Sequence, residues 1–162
     1  MNTVTRATAE ITCTTALQIL QAAVARASEV RKPMGICVVD PAGNQKAFVR
    51  MDGAPLLASD VAFRKAWSAV AWNMPTRDWI PFIVKDRVLL EGVPRIDGLS
   101  LLPGGIPIYV DGVVVGGLGV SGSHYSEDDD IAVYALASVA GIDSPVSAEP
   151  ARAWSDVDPA RT

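Results

Sequence analysis

The stretch IPIYVDGVVVGGLGVSGSHYSEDDD, residues 106–130, decides the fold. Two apolar runs flank an Asp-Gly pair at 111–112, and this pair favours the tight turn of a β-hairpin. Gly117, Gly119 and Gly122 also match the Gly-x-Gly-x-x-Gly pattern of a dinucleotide site. Such a site needs a parallel strand-to-helix turn and a later strand that carries an acidic residue. Here the glycines follow the turn of a hairpin, so we predict an antiparallel sheet and no dinucleotide site.

The glycines of the second strand need a separate reason. Glycine weakens a strand because it has no side chain to pack. The strand and its end contain Gly116, Gly117, Gly119 and Gly122. These glycines indicate either β-bulges or a face of the sheet that a helix, a ligand or another subunit approaches closely.

Length and composition favour one globular domain. The chain has 162 residues, of which 49% are hydrophobic and 20% charged, and its formal net charge is -4. This size can bury one sizeable core, and the lack of a basic run argues against a nucleic-acid partner. No apolar run is long enough to span a bilayer, and the first residues show no signal-peptide pattern. We therefore expect a cytoplasmic protein without a membrane partner, in which Cys13 and Cys37 are reduced core residues.

Helical and strand patterns alternate along the chain. Apolar residues at helical spacing begin at Cys13 and stop before Pro33, which predicts a long first helix. The runs GICVVD and QKAFVRM flank the turn PAGN and predict a first hairpin. LLASDVAFRKAWSAVAW keeps helical spacing and ends before Pro75. Ser126 precedes Glu127 and two aspartates, a pattern typical of the capped start of a last helix.

The C-terminal residues differ from the rest of the chain. Residues 144–162 are rich in proline and aspartate and show no periodicity. We predict a single domain at 1–143 followed by an extended or disordered tail at 144–162. Trp154 could let this tail wrap a neighbouring chain, and together with the high apolar content it predicts a homo-oligomer.

Several motifs occur in a characteristic order between about residues 35 and 140. They are V-V-D-x-x-G, R-M-D-G-A, K-A, G-G-x-P, D-G-x-x-V-G and G-V-S-G, followed by the acidic helix start D-x-x-I-A. In these motifs the chain resembles the GlcG/HbpS family, also called the heme-degrading domain family, which is related to the C-terminal domain of PduO-type adenosyltransferases. The resemblance implies a profilin-like α/β (α+β) fold, with a central antiparallel sheet of about five strands flanked by helices. It also implies dimers up to octamers, and heme or iron binding in some members.

The sequence departs from the family pattern at two places. Many members have Gly-Gly-Thr or a similar run after G-V-S-G, whereas this chain has Ser-His-Tyr at 123–125. It also carries an unusual tryptophan set that includes Trp67 and Trp72. We expect Tyr125 and these tryptophans to line a reshaped ligand pocket.

His124 is the first candidate for chemistry. It is the only histidine of the chain and lies between the glycine-rich strand and the last helix. An imidazole can be an axial ligand of heme iron, and it can also transfer protons near neutral pH. A lone loop histidine can equally be an ordinary surface residue.

The remaining candidates are charged side chains and backbone amides. Arg50 and Asp52 bracket one residue at the end of a strand, so they could bind a carboxylate ligand or pair with each other. Lys65 matches the lysine of the K-A motif and could neutralise a propionate, or it could be solvated. Gly104 and Gly105 could offer an anion-binding nest, although a tight entry into the next strand also explains them. The acidic run after Glu127 is better explained by a helix start than by a metal site.

Two functions from different classes fit these residues. The first is a small-ligand-binding protein, with heme as a candidate cofactor, His124 as its axial ligand and basic residues near its carboxylates. The second is a cofactor-independent isomerase, hydratase or lyase that acts on a small organic acid. In that enzyme His124 would carry the proton, while Lys65, Arg50 and the Gly104 and Gly105 amides would stabilise an anion.

Overall fold

A four-stranded antiparallel sheet organises the protein. The computed structural model describes residues 4–143, and the predicted tail at 144–162 lies outside this range. The strand order is β2-β1-β4-β3. The strands are β1 (Gly35–Val39), β2 (Gln45–Arg50), β3 (Gly105–Val110) and β4 (Val113–Ser121). The helices are α1 (Cys13–Glu29), α2 (Leu56–Trp72), α3 (Trp79–Ile83), α4 (Arg87–Gly92) and α5 (Tyr125–Ala137), with 3-10 turns at Thr76–Asp78 and Val93–Arg95.

Both predicted hairpins are confirmed. β1 pairs with β2, and β3 pairs with β4 around the Asp-Gly turn at 111–112. These are the strands that the sequence patterns indicate, and they number four rather than the five or so that the resemblance implies. Beyond them, the pairing within residues 4–143 consists of one isolated bridge between Tyr109 and Asp143. The mixed α+β class with one antiparallel sheet is therefore confirmed, while the profilin-like description stays a prediction.

α1 and α5 cover one face of the sheet. Thr12 begins α1 by accepting a hydrogen bond from the Thr15 amide at 3.2 Å, which satisfies one of the free donors of the first turn. The helix buries a stripe of small and branched residues against the sheet and α5, and the resulting cluster is the main core. Cys13, the first residue of this helix, is exposed, so its predicted core position is wrong. Cys37 is buried, as predicted.

α2 covers the other face of the sheet at very short range. A Cβ placed on Gly119 would lie 2.0 Å from the Ala62 carbonyl oxygen, and one on Gly117 would lie 2.7 Å from the Ala66 carbonyl oxygen. Real Cβ atoms do not approach backbone this closely, so the helix requires glycine beneath it. Of the explanations that the sequence left open for these two glycines, the close approach of a helix is the one found. Ser68 fixes the flank of α2, because its hydroxyl accepts a hydrogen bond from the Ser100 amide at 2.7 Å.

The segment between α2 and β3 packs separately from the main core. Trp79, Ile83 and Val93 form a small buried cluster with partly buried leucines around it. The structure contains no helix, among the residues described, that is both long and apolar enough to cross a membrane.

Candidate functional site

His124 lies at the start of α5 and is exposed. It is the N-cap residue, and its Nδ1 accepts a hydrogen bond from the Ser126 amide at 3.4 Å. Nδ1 also lies 2.8 Å from the Ser126 hydroxyl, where the donor depends on the tautomer. The cap is thus His124 rather than the predicted Ser126. Both contacts engage Nδ1, and none of the described residues hydrogen-bonds to Nε2. When Nδ1 accepts from the amide, the proton of the neutral ring is on Nε2; when Nδ1–H donates to the Ser126 hydroxyl, the lone pair of Nε2 is available to a ligand.

Tyr125 lies against the His124 ring. The two ring centroids are 4.0 Å apart and the rings are tilted by 36°. This contact restricts the orientation of the imidazole, because the neighbouring aromatic ring blocks one of its faces. Tyr125 therefore lies beside the candidate axial ligand His124, and its role in a ligand pocket stays a prediction.

Lys65 is fully buried and does not reach the surface. Its Nζ donates hydrogen bonds to Asp128 Oδ2 at 2.6 Å and to the Val120 carbonyl oxygen at 2.9 Å. The side chains are 0% and 3% exposed, so a substrate cannot touch this ammonium in the conformation described. Burial lowers the pKa of Lys65 and raises the pKa of Asp128, while the attraction between the two charges opposes both shifts.

The Gly104 and Gly105 amides are occupied by acceptors of the same chain. Gly104 N donates to Asp129 Oδ1 at 3.2 Å, and Gly105 N donates to Thr76 Oγ1 at 2.9 Å. Asp129 also forms a buried ion pair with Arg77. The nest that the sequence suggested for an external anion therefore holds an internal carboxylate and a hydroxyl.

Arg50 and Asp52 do not pair with each other. Arg50 Nη1 donates to the Ala54 carbonyl oxygen at 3.3 Å, and no ion pair between Arg50 and Asp52 occurs in the described part of the chain. Arg50 is opposite Gly35 in the β1–β2 pairing, and Gly35 is opposite Ser121 in the β1–β4 pairing. The exposed Arg50 consequently lies at the same end of the sheet as the turn that carries His124.

Trp67 and Trp72 lie toward the other end of α2. A Cβ on Gly43, in the β1–β2 turn, would lie 2.7 Å from the Trp67 ring, which places this ring at the end of the sheet opposite Arg50. Trp72 is 57% exposed, and its ring centroid is 5.2 Å from that of Trp79. The structure does not bring these tryptophans together with His124.

An open cleft of about 490 Å³ runs along α5 next to His124. Ser126 and Glu127 belong to its lining, so its rim adjoins the candidate ligand. The cleft also has three charged lining residues, Arg77, Asp129 and Asp130. The rest of its lining is mostly apolar and consists of Val30, Ile131, Val133, Tyr134 and Ala137. This is the cavity in which a ligand could contact both apolar side chains and the start of α5.

The sequence did not reveal the roles of Asp128 and Asp129. The acidic run is the predicted helix start, but these two side chains are also buried and paired with Lys65 and Arg77. A usable signal was helical spacing, because Asp128 is three residues before the apolar Ile131, which is buried, and lies on that same face of α5.

Residues 11–137 match the family model described as "Haem degrading protein HbpS-like". The chain belongs to the HbpS-like family.

Relatives of this HbpS-like protein include larger and similarly sized chains. It is 35% identical to the corrinoid adenosyltransferase PduO of Salmonella typhimurium over 75% of its own length, but it spans only 37% of that relative. It is 32% identical to an uncharacterized 15.0 kDa protein of Citrobacter freundii, covering 79% of this chain and 91% of the relative.

Solved structures of the HbpS-like family have the same fold. A PduOC:heme complex matches with a TM-score of 0.75 and 30% identity, covering 83% of this chain and 98% of the other. HbpS matches with a TM-score of 0.75 and 31% identity, covering 85% and 94%. The first of these two neighbours is a complex with heme.

Proposed function

We propose that this HbpS-like protein binds heme or a closely related iron-containing planar ligand, with His124 as an axial ligand. The observation that carries the proposal is the exposed imidazole whose Nδ1 lies 2.8 Å from the Ser126 hydroxyl, because an Nδ1–H that donates to this hydroxyl leaves the lone pair of Nε2 available. Metal-binding histidines commonly donate their second ring N–H to a nearby oxygen, since this contact orients the ring and fixes its tautomer. The family and the heme-bound neighbour support the choice of ligand.

The residues around His124 fit such a ligand only in part. The cleft along α5 supplies apolar contacts, and Arg50 supplies an exposed guanidinium at the same end of the sheet, where it could pair with a propionate. Lys65 does not fit a propionate role because it is buried and paired with Asp128. When bound, heme iron would supply a coordination position for Nε2, and the protein would supply the orientation of the imidazole.

Hemin titration tests the proposal, with His124→Asn as the decisive variant. Asparagine is a favoured N-cap residue, so this change keeps the start of α5 while removing the ligand nitrogen. We expect a Soret shift on addition of hemin to the parent protein, and weaker binding with an altered band in the variant. Trp72→Leu is the matched control, because an exposed ring can adsorb hemin nonspecifically. If Trp72→Leu abolishes the Soret shift and His124→Asn does not, the axial role is refuted.

The alternative of a proton-transfer enzyme receives no specific support from the geometry. That enzyme would need Lys65 and the Gly104 and Gly105 amides to face the same substrate as His124. Lys65 is instead 0% exposed, and both amides donate to acceptors inside the chain. We therefore do not propose an isomerase, hydratase or lyase activity.

We also propose that the protein forms a homo-oligomer. Large apolar side chains are exposed on the described surface, among them Leu56 at 85% and Leu57 at 67%. Neighbouring exposed residues of this kind are typical of contact surfaces between chains. Sedimentation equilibrium at micromolar concentration is expected to give a mass above that of one chain, and a monomer mass would contradict the proposal.

A further inference from the structure

We propose that Lys65 and Asp128 act as positioning residues that hold His124 in its ligand-binding orientation. Neither side chain touches a bound ligand in this proposal, because both are buried. Their effect is transmitted through the backbone of the turn at 120–124, which connects β4 to α5. The inference rests on the proposed function for what His124 binds, and its test is made without hemin so that the two proposals can fail separately.

The ion pair is hydrogen-bonded to both sides of this turn. On the incoming side, Lys65 Nζ donates to the Val120 carbonyl oxygen at 2.9 Å. On the outgoing side, Asp128 Oδ1 accepts from the Ser123 amide at 3.0 Å, and the Asp128 amide donates to the His124 carbonyl oxygen at 3.1 Å. Since Asp128 Oδ2 binds Lys65 Nζ at 2.6 Å, the two sides are joined through one pair of charges.

The surroundings of the pair favour a single arrangement. A Cβ on Gly104 would lie 3.1 Å from Lys65 Nζ and 3.0 Å from Asp128 Cβ, so this side leaves little room for a second rotamer of either residue. In a buried site the charges must remain hydrogen-bonded, because an unpaired buried charge is strongly disfavoured. The backbone of the turn is therefore confined to the geometry that satisfies both groups.

A neighbouring ion pair provides a matched control. Asp129 pairs with Arg77 and accepts from the Gly104 amide, and it is as deeply buried as Asp128. Asp129 reaches the turn at 120–124 only indirectly, through Gly104, whose carbonyl oxygen accepts from the Val120 amide at 2.9 Å. Breaking the second pair consequently disturbs a buried charge while the direct hydrogen bonds of Lys65 and Asp128 to the turn remain.

The experiment compares Lys65→Met with Asp129→Asn by NMR in the untagged protein without hemin. The chain contains one histidine, so the imidazole Cε1–H signal belongs to His124. In Lys65→Met, Asp128 loses its buried partner and must protonate or turn toward solvent. We expect the His124 signal to shift or broaden, and the Ser123 amide to exchange about tenfold faster or more, because a hydrogen bond to a charged group is lost.

The control separates positioning from a general loss of stability. In Asp129→Asn we expect the His124 signal and the exchange of the Ser123 amide to remain as in the parent. If Lys65→Met leaves both readouts unchanged, or if Asp129→Asn changes both equally, the proposal is overturned. Changed readouts in Lys65→Met alone support it even if the parent protein shows no Soret shift with hemin, an outcome that would reject only the proposed function.

A second variant covers the case in which Lys65→Met does not fold. Asp128→Asn keeps the shape of the side chain and an acceptor for the Ser123 amide, but it removes the charge. Since a neutral acceptor is weaker, the Ser123 amide should still exchange faster than in the parent. Unchanged exchange in this variant overturns the proposal.

Discussion

Replacing Gly119 by alanine tests the close packing of α2 on the sheet. The added Cβ would lie 2.0 Å from the Ala62 carbonyl oxygen and 2.6 Å from the Ala66 amide nitrogen. Ordinary contact begins at 3.4 Å, so the helix and the strand would have to separate by about 1.4 Å. Both obstacles are backbone atoms, and a side-chain rotation cannot relieve them.

The expected loss of stability is large for a single methyl group. Overpacking a core costs roughly 1–3 kcal/mol, and more where the surroundings are rigid. We expect about 3 kcal/mol here, because the separation would also weaken the contacts of Cys37 and Val39 with α2. For a chain of this length, about 2–4 °C of Tm is lost per kcal/mol, which predicts a decrease of about 6–12 °C.

Differential scanning calorimetry with a matched glycine measures this effect. Gly92 ends α4 with helical backbone angles, and a Cβ there would meet no atom within 4 Å. Gly92→Ala should therefore leave Tm unchanged or raise it slightly. If Gly119→Ala melts within about 2 °C of the parent, the described distance between α2 and β4 is wrong.

Two further predictions concern titratable groups. Burial raises the pKa of Cys37 to about 12, whereas Cys13 is exposed, so a thiol reagent at neutral pH should label one cysteine in the native protein and two in denaturant; rapid labelling of both in the native state would contradict the burial of Cys37. Hydrogen bonds from Ser123 and Lys32 lower the pKa of Glu127 in the folded protein. The ionised carboxylate therefore stabilises the fold at a pH above its ordinary pKa of about 4.3, and this stabilisation is lost as the pH falls through the pKa of the folded protein. Glu127→Gln should accordingly be less stable than the parent at pH 7, and the difference in Tm should shrink below about pH 4, whereas a constant difference would exclude this carboxylate as the cause.

Periodicity was sufficient to predict most of the fold. The run LLASDVAFRKAWSAVAW coincides with α2, and both hairpins lie where alternation and turn residues indicate them. Local patterns could not predict the exposure of Cys13, because helical spacing places it on the same stripe as the buried Ala16 and Leu20. They also could not show that α2, rather than a ligand, approaches the glycines, because this depends on the packing of distant segments.

The candidate site was predictable only as a set of residue types. The sequence identified His124, and the structure shows it exposed at a helix start. The partners of Lys65 and Asp129 depend on contacts across 63 and 52 positions of the chain, which spacing along the sequence does not encode. Trp67 and Trp72 were grouped with His124 on composition alone, and the direction of α2 places them at the other end of the sheet.

The glycines beneath α2 have a consequence for how this helix is aligned. Helices usually interlock with their neighbours through protruding side chains, and these ridges resist sliding. Gly117 and Gly119 present no side chains to α2, so these two positions fix the separation of the helix from the sheet but not its displacement along the sheet. Polar contacts hold the helix at its flanks, Lys65 on Asp128 and Ser68 on the Ser100 amide. These contacts therefore contribute to a registration that the two glycines beneath α2 cannot provide.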